Sequence, residues 1–99
     1  MDNATKNDII NEVAKRTGER KETAAKMVNE TFTVLRELIC STDSEIRVGI
    51  RDFGTFEVKK TSATQARNPR TNEKIDIQPR KRVHFIPGIY MKEILRRPL

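Results

Sequence analysis

A chain of 99 residues makes one domain, and a domain of this size buries only a modest fraction of its surface and is marginally stable alone. Lysine and arginine outnumber aspartate and glutamate by 20 to 14, and the net charge of +6 favours a polyanionic partner, nucleic acid first and an anionic membrane surface second. No apolar run approaches the ~18 residues that span a bilayer, and the N-terminus lacks the pattern of a signal peptide, so we expect a cytoplasmic protein.

The first predicted element is a helix over residues 5–17. Thr5 is followed three residues later by Asp8, which resembles a capping box, and Gly18 supplies a stop signal. Lys6 lies at the helix start, where it either belongs to a solvated face or meets a phosphate. Apolar residues recur at helical spacing along the segment, at Ile9, Ile10, Val13 and Ala14.

A longer periodic segment, about 21–41, predicts a second helix. Its apolar arc is wider than the covering of one small sheet requires. One interpretation places Phe32, Leu35 and Ile39 against the same helix of a second subunit, and the alternative is that the first helix and the sheet of the same chain cover them. Cys40, the only cysteine, excludes an intrachain disulfide and a cysteine-rich metal site, and we expect it to pack in or near the core.

The second half of the chain predicts strands. A polar break at 41–44 is followed by apolar alternation over 46–50, which is typical of a half-buried strand. A turn at 52–54 leads into a second strand from Thr55, and a third strand returns at Val83 and Phe85. A last helix over 88–97 follows, with Met91, Ile94 and Leu95 as its buried stripe. The predicted order is α-α-β-β-β-α, and the fold class is therefore α+β.

Residues 59–82 carry all of the net charge. They hold eight lysines and arginines against two acids, while the other 75 residues hold 12 of each sign. The segment has almost no large apolar residue before Ile75, so it cannot bury enough surface to form a core of its own. At its middle, Pro69 cannot extend a strand ladder and precedes a Thr71-Asn72 pair suited to a tight reversal. We therefore predict two basic strands that rise to a proline-bearing tip.

Other chemistry has little support in the sequence. The acidic residues are dispersed and pair with no nucleophile or metal-ligand cluster, so we expect no enzyme activity, no metal and no cofactor. Four phenylalanines and one tyrosine leave no spare aromatic platform for base stacking, which argues against binding to single strands. His84 alternates with apolar neighbours and is interpreted as structural, with phosphate contact or pH sensing as the alternatives.

Three motifs together carry a family resemblance: RDFGTFEV at 51–58, ARNPRT at 66–71 and FIPG at 85–88. With their spacing, they resemble the bacterial HU and integration host factor family of DNA-bending proteins, and the resemblance covers essentially the whole chain. It implies an intertwined dimer of α-α-β-β-β-α subunits, with a helical base, a three-stranded antiparallel sheet and a protruding β-ribbon arm. It also implies a nucleoid-associated, histone-like architectural protein without a small-molecule substrate.

The resemblance also implies roles for segments and residues. It divides the single domain, 1–99, into a helical dimerisation region at 1–45, a sheet body at 46–58 and 83–87, a DNA-binding arm at 59–82 and a C-terminal helix at 88–97. Pro69 would wedge between base pairs, with Arg67 and Asn68 in the minor groove. Candidate DNA contacts are Lys6, Lys59, Lys60, Arg67, Asn68, Pro69, Arg70, Lys74, Arg80, Lys81, Arg82 and Lys92. Candidate dimer contacts are Phe32, Leu35, Ile39, Phe53, Phe56 and Phe85.

Several positions depart from the common pattern of the family. Ile86 and Ile89 stand where many HU sequences have lysines, and Asn72 stands where glycine is usual, although asparagine tolerates a left-handed turn. Residues 80–85 read closer to integration host factor than to HU. Two alternatives therefore stay open: a sequence-preferring subunit of a heterodimer, and a basic scaffolding module for acidic protein or membrane partners.

Overall fold

The computed structural model describes residues 1–41, 45–61, 64–77 and 79–99. Within these ranges the helices are α1 (Lys6–Thr17), α2 (Lys21–Cys40) and α3 (Ile89–Arg96). The strands are β1 (Ile46–Ile50), β2 (Gly54–Lys60), β3 (Thr64–Arg67), β4 (Lys74–Ile77) and β5 (Lys81–Pro87). The chain divides into two compact units, Met1–Leu38 and Ile39–Leu99, and each is described by itself below.

Helix α1 begins and ends where its capping residues predict. The backbone N–H of Thr5 donates to the Asp8 carboxylate at 2.7 Å, as in a capping box. Gly18 follows the last turn in the left-handed conformation, with φ +71°, and its N–H donates to the Ala14 carbonyl at 3.0 Å. Glycine adopts this conformation without steric cost, so the stop signal predicted at Gly18 is confirmed.

The core of the first unit lies between α1 and the first half of α2. Ile10, Ala24 and Val28 are its buried side chains among the described residues, and Val13, Ala14 and Ala25 pack against them. Farther along α2, Phe32, Val34 and Leu38 are 43–50% exposed, and Leu35 and Ile39 are half-buried. A single chain therefore leaves much of the apolar arc of α2 uncovered.

In the second unit, β1, β2 and β5 form an antiparallel sheet in the order β1-β2-β5. Because alternate residues of a strand point to opposite faces, the register separates an apolar face from a polar one. Rows across the apolar face are Ile46, Val58 and Val83, then Val48, Phe56 and Phe85; the central row of the polar face is Arg47, Glu57 and His84.

The turn between β1 and β2 is fastened to the end of β5. Asp52 takes the left-handed conformation, with φ 63°, and the N–H of Gly88 donates to the Phe53 carbonyl at 2.9 Å. An added Cβ on Gly54 would lie 2.6 Å from the Ile86 carbonyl oxygen and from the Phe85 ring. Gly54 therefore lets the Phe85 ring lie against the β2 backbone, with its centroid 4.9 Å from that of Phe56.

Strands β3 and β4 form a separate two-stranded antiparallel sheet, which we call the arm. It confirms the prediction that the basic segment is a hairpin of two strands. The main ladder between β2 and β5 runs to the pair Lys60 and Lys81, so its basic ends belong to the sheet body. Part of the expected 59–82 arm, residues 62, 63 and 78, lies outside the described residues, as do residues 42–44 of the expected polar break.

Two expectations about burial are wrong for the single chain. Cys40, the last residue of α2, is exposed. In the expected stripe of α3, Ile94 is 60% and Leu95 is 70% exposed, whereas Met91 is half-buried. The stripe has the predicted helical spacing, but the described residues of the chain leave two of its three side chains largely uncovered.

Candidate nucleic-acid interface

The register of the strands sets basic side chains directly opposite one another. Lys59 faces Arg82 and Lys60 faces Lys81 at the end of the main ladder, and Arg67 faces Lys74 at the end of the arm. All of these residues are exposed. Like charges on directly opposed residues destabilise a sheet, so a bound polyanion would relieve a repulsion that exists in the free chain.

Alternation places the two basic pairs of the main ladder on opposite faces of the sheet. Lys59 and Arg82 extend the polar face, whereas Lys60 and Lys81 continue the apolar one. The ammonium of Lys81 lies 3.4 Å from the backbone carbonyl oxygen of Cys40, to which it donates. A cation at the C-terminal end of a helix is stabilised by the helix dipole, so Lys81 has a structural partner in the free chain.

The tip of the arm is built by hydrogen bonds around an exposed proline. The side-chain oxygen of Asn68 accepts from the backbone N–H of Arg70 at 2.9 Å and so spans Pro69. The backbone N–H of Asn68 donates to the Glu73 carbonyl at 2.9 Å, and that of Asn72 donates to the Asn68 carbonyl at 2.7 Å. The prediction of a tight reversal here is confirmed, and Asn68 gains a turn-forming role that the sequence did not reveal.

Asn72 has two roles in this tip. Its backbone is left-handed, with φ 58°, a conformation that asparagine tolerates. Its side-chain oxygen accepts from the Arg67 guanidinium, with Nη1 3.3 Å from Oδ1. The arginine predicted to enter the groove is therefore tied to the tip from which Pro69 projects.

The base of the arm is closed by Thr61, which sequence reasoning missed. Its hydroxyl donates to the Arg80 carbonyl at 3.1 Å and accepts from the Arg80 N–H at 3.0 Å, while its own N–H donates to the same carbonyl at 2.7 Å. Threonine is common in strands, and no sequence signal distinguishes this one. The contact joins two residues 19 positions apart, directly beyond the end of the main ladder.

An acidic side chain, Glu57, lies in the central row of the polar face. Glu57 accepts from Arg47 at 2.7 Å, and its side chain is 16% exposed against 72% for that of Arg47. The hydrogen bond from Arg47, helped by the positive charges of Arg47, Lys59 and His84, holds the pKa of Glu57 below its ordinary value of 4.5, although burial opposes the shift. Glu57 therefore remains charged and lowers the positive potential of this face.

The remaining predicted residues lie on other elements. Lys6 is in the first turn of α1, and Lys92 is on α3, exposed, with its backbone N–H bonded to Gly88. Phe53, Phe56 and Phe85 form an aromatic cluster, of which Phe53 is 45% exposed. Phe32 and Leu35 belong to the first unit, and Ile39 to the second.

Two absences in the described part of the chain concern metal ions and membrane spans. Its histidine, cysteine, aspartate and glutamate side chains form no group of three or more that could hold a metal ion. None of its helices is both long and apolar enough to cross a membrane.

Comparison with known proteins identifies the family. Residues 4–96 match the model of a family described as bacterial DNA-binding protein. DNA-binding protein HU-1 of Halalkalibacterium halodurans is 37% identical over 91 residues, which cover 92% of this chain and 98% of that protein. The chain belongs to the HU family of bacterial DNA-binding proteins. The resemblance inferred from the three motifs is thereby confirmed.

Two further comparisons also cover nearly the whole chain. DNA-binding protein HU 2 of Bacillus phage SPbeta is 35% identical over 92% of this chain and 96% of its own. The cocrystal structure of Anabaena HU with DNA superposes with a TM-score of 0.77 at 27% identity, covering 96% of this chain and 100% of that one. The predicted α+β fold class is confirmed by the strands and helices and by this structural match.

Proposed function

We propose that the protein is a histone-like architectural protein that binds duplex DNA through the minor groove with low sequence specificity and bends it. In this proposal Pro69 enters a base step, while Arg67 and Asn68 lie in the groove. The phosphates meet the other predicted cations: Lys6, Lys59, Lys60, Arg70, Lys74, Arg80, Lys81, Arg82 and Lys92. Bending brings more phosphates against the protein and offsets the few kcal/mol that unstacking costs.

One observation carries the proposal: the two-stranded arm has opposed cations at its end and an exposed proline, which is rigid and apolar, at its tip. The Arg67 and Lys74 pair lies next to the tip, and Pro69 projects beyond it. Proline has no N–H donor, so it can enter a base step without leaving a donor unsatisfied. The narrow minor groove attracts arginine and lysine, but its hydrogen-bond pattern distinguishes little beyond A·T from G·C.

A second copy of the chain belongs to the proposal because one chain buries so little. Ile10, Ala24, Val28 and Val58 are buried, but large apolar side chains such as Met27, Phe32, Ile89 and Leu95 are at least 43% exposed. In the dimer, the partner subunit would bury the exposed apolar residues of α2 and α3. It would also bury the predicted dimer contacts: Phe32, Leu35, Ile39, Phe53, Phe56 and Phe85. Large exposed apolar surfaces mark interaction sites.

The test replaces Pro69 with alanine and measures bending separately from affinity. A duplex labelled at both ends reports the bend by energy transfer, and a salt titration reports the phosphate contacts. We expect P69A to lose most of the bend and to keep most of the salt-dependent affinity, because the cations are unchanged. P79A, in the same basic segment but away from the tip, is the matched control and should bend DNA as the unmodified protein does.

Two further outcomes would count against the proposal. An unchanged bend in P69A would contradict the wedge role. Tighter binding to anionic lipid vesicles than to linear, nicked or four-way DNA would favour the scaffolding alternative. Light scattering on the purified chain tests the homodimer, since a folded monomer would indicate that a different subunit is required.

A further inference from the structure

We infer that Asn72 is a positioning residue that holds the Arg67 guanidinium ready for the groove; this rests on the proposed function. The observation behind it is the hydrogen bond from Arg67 Nη1 to Asn72 Oδ1 at 3.3 Å. Arg67 is exposed, and an exposed arginine is otherwise free to sample many rotamers. A fixed acceptor at the tip reduces that freedom before DNA arrives.

The backbone of the tip explains why the acceptor is fixed. The N–H of Asn72 donates to the Asn68 carbonyl at 2.7 Å, and the neighbouring Glu73 carbonyl accepts from the N–H of Asn68 at 2.9 Å. These bonds set the left-handed conformation of Asn72, with φ 58°. The same asparagine therefore closes the turn that presents Pro69 and orients the arginine beside it.

The contact leaves Arg67 able to bind. A guanidinium has five N–H donors, and the bond to Asn72 uses one of them. The opposed cation Lys74 lies across the ladder from Arg67 and would push the guanidinium away from the arm. Asn72 opposes that displacement, because a neutral acceptor holds the charge near the tip without neutralising it. An aspartate would hold it more strongly but would repel phosphates.

Asn72→Gly separates the two roles of the residue. Glycine accepts φ 58° without strain, so the turn is kept, while the side-chain acceptor is lost. Wild-type and variant proteins should therefore melt alike. In the free protein, NMR relaxation of the Arg67 side chain should show it more ordered than Arg70, and N72G should remove that difference. Equal mobility of the two arginines in the unmodified protein would overturn the inference without any use of DNA.

Binding is then compared in two mutant cycles on the labelled duplex. We expect N72G to weaken binding about threefold to tenfold in the wild-type background, as for the cost of ordering one rotamer-rich side chain on binding. On an R67A background the effect should fall below about twofold, whereas on an R70A background it should remain, because the Arg70 side chain has no part in the contact.

The outcomes separate this inference from the proposed function. If the unmodified protein neither binds nor bends duplex DNA, the proposed function fails. If it does both and N72G binds as tightly or more tightly, Asn72 does not position Arg67 for binding. Equal effects of N72G on the R67A and R70A backgrounds would also contradict the inference, because the coupling would not be specific to the hydrogen-bonded pair.

Discussion

Arg47 on β1 and Glu57 on β2 form an ion pair across the sheet, with Nη2 of the guanidinium 2.7 Å from Oε2 of the carboxylate. The pair is asymmetric, since the carboxylate is largely covered and the guanidinium is largely exposed. It lies in the central row of the polar face, between the edge of β1 and His84 on β5. A negative charge is thus held beside the cations Arg47 and Lys59 of this face.

This pair makes part of the stability dependent on pH. The pKa of Glu57 is lower in the folded chain than its ordinary value of 4.5, chiefly because Arg47 donates to the ionised form. The contribution of the ion pair to the free energy of unfolding is therefore present above pH 4.5. It is lost as the pH falls through the lowered pKa of Glu57. In thermal melts taken across this range, E57Q should lose less stability on acidification than the unmodified protein does.

The partner residue provides the control for that measurement. R47Q should weaken the same pH-dependent contribution, and the double variant should behave like E57Q alone, because the carboxylate that titrates is absent in both. An E57Q melting profile parallel to that of the unmodified protein over the whole acid range would contradict the prediction.

Replacement by alanine should destabilise the protein at Gly54 but not at Gly49. A Cβ on Gly54 would lie 2.6 Å from the Ile86 carbonyl oxygen and the Phe85 ring, whereas a Cβ on Gly49 would meet the Thr55 hydroxyl at 3.9 Å. We expect G54A to lower the free energy of unfolding by about 1–3 kcal/mol, as overpacking does, and G49A to be nearly neutral. Urea denaturation of both variants checks this, and equal midpoints would show that β2 and β5 adjust to the added methyl.

Loss of the Thr61 hydroxyl should make the arm more mobile without unfolding the protein. T61V keeps the shape of the side chain but removes both hydroxyl hydrogen bonds to Arg80. Amide exchange in β3 and β4 should become faster, and duplex binding should weaken by a few fold, because each lost bond is worth about 1 kcal/mol and the arm must be ordered when bound.

T31V is the matched control for T61V. The Thr31 hydroxyl donates to the Met27 carbonyl within α2, so the same chemical change removes a hydrogen bond without touching the arm. T31V should leave amide exchange in β3 and β4 unchanged. If T61V also leaves it unchanged, the Thr61 bridge does not hold the base of the arm.

The salt dependence of DNA binding should distinguish the cations. K74A removes a charge near the tip. It should reduce the magnitude of the negative slope of log affinity against log salt by about 1, as for the loss of one phosphate contact. R16A should leave the slope unaltered, since Arg16 pairs with Glu12 at 3.0 Å on α1 and is not a predicted DNA contact. A slope for K74A equal to that of the unmodified protein would remove Lys74 from the interface.

Lys81 should behave differently from Lys74. Its ammonium donates to the Cys40 carbonyl at the end of α2, so K81A removes a helix-terminal contact as well as a charge. We expect K81A to lower the melting temperature and to change the salt slope less than K74A does. Denaturation and salt titration on the same preparations measure both quantities. If K81A changed the salt slope as much as K74A does and left the melting temperature unchanged, Lys81 would be a phosphate contact without a structural role.

Much of the architecture follows from local signals. The capping residues Thr5 and Asp8 and the stop at Gly18 act within a few positions of the helix end, so a linear reading locates α1 correctly. Apolar alternation locates the sheet strands in the same way. Burial was harder to predict, because the periodicity of Ile94 and Leu95 shows that they share a face but does not show what covers that face.

The candidate site divides in the same way, into features that can be seen in the linear sequence and features that depend on the tertiary structure. Confinement of the net charge to one segment, a proline at its centre and a turn beside it are properties of the linear chain, and they pointed to a cationic hairpin. Three features depend on strand register and on contacts between distant positions. These are the cross-strand pair of Arg67 and Lys74, the hydrogen bond from Lys81 to the Cys40 carbonyl, and the hydrogen bonds between Thr61 and Arg80. No short window of residues contains that information, because register is set by turn geometry and by which face of the sheet is buried.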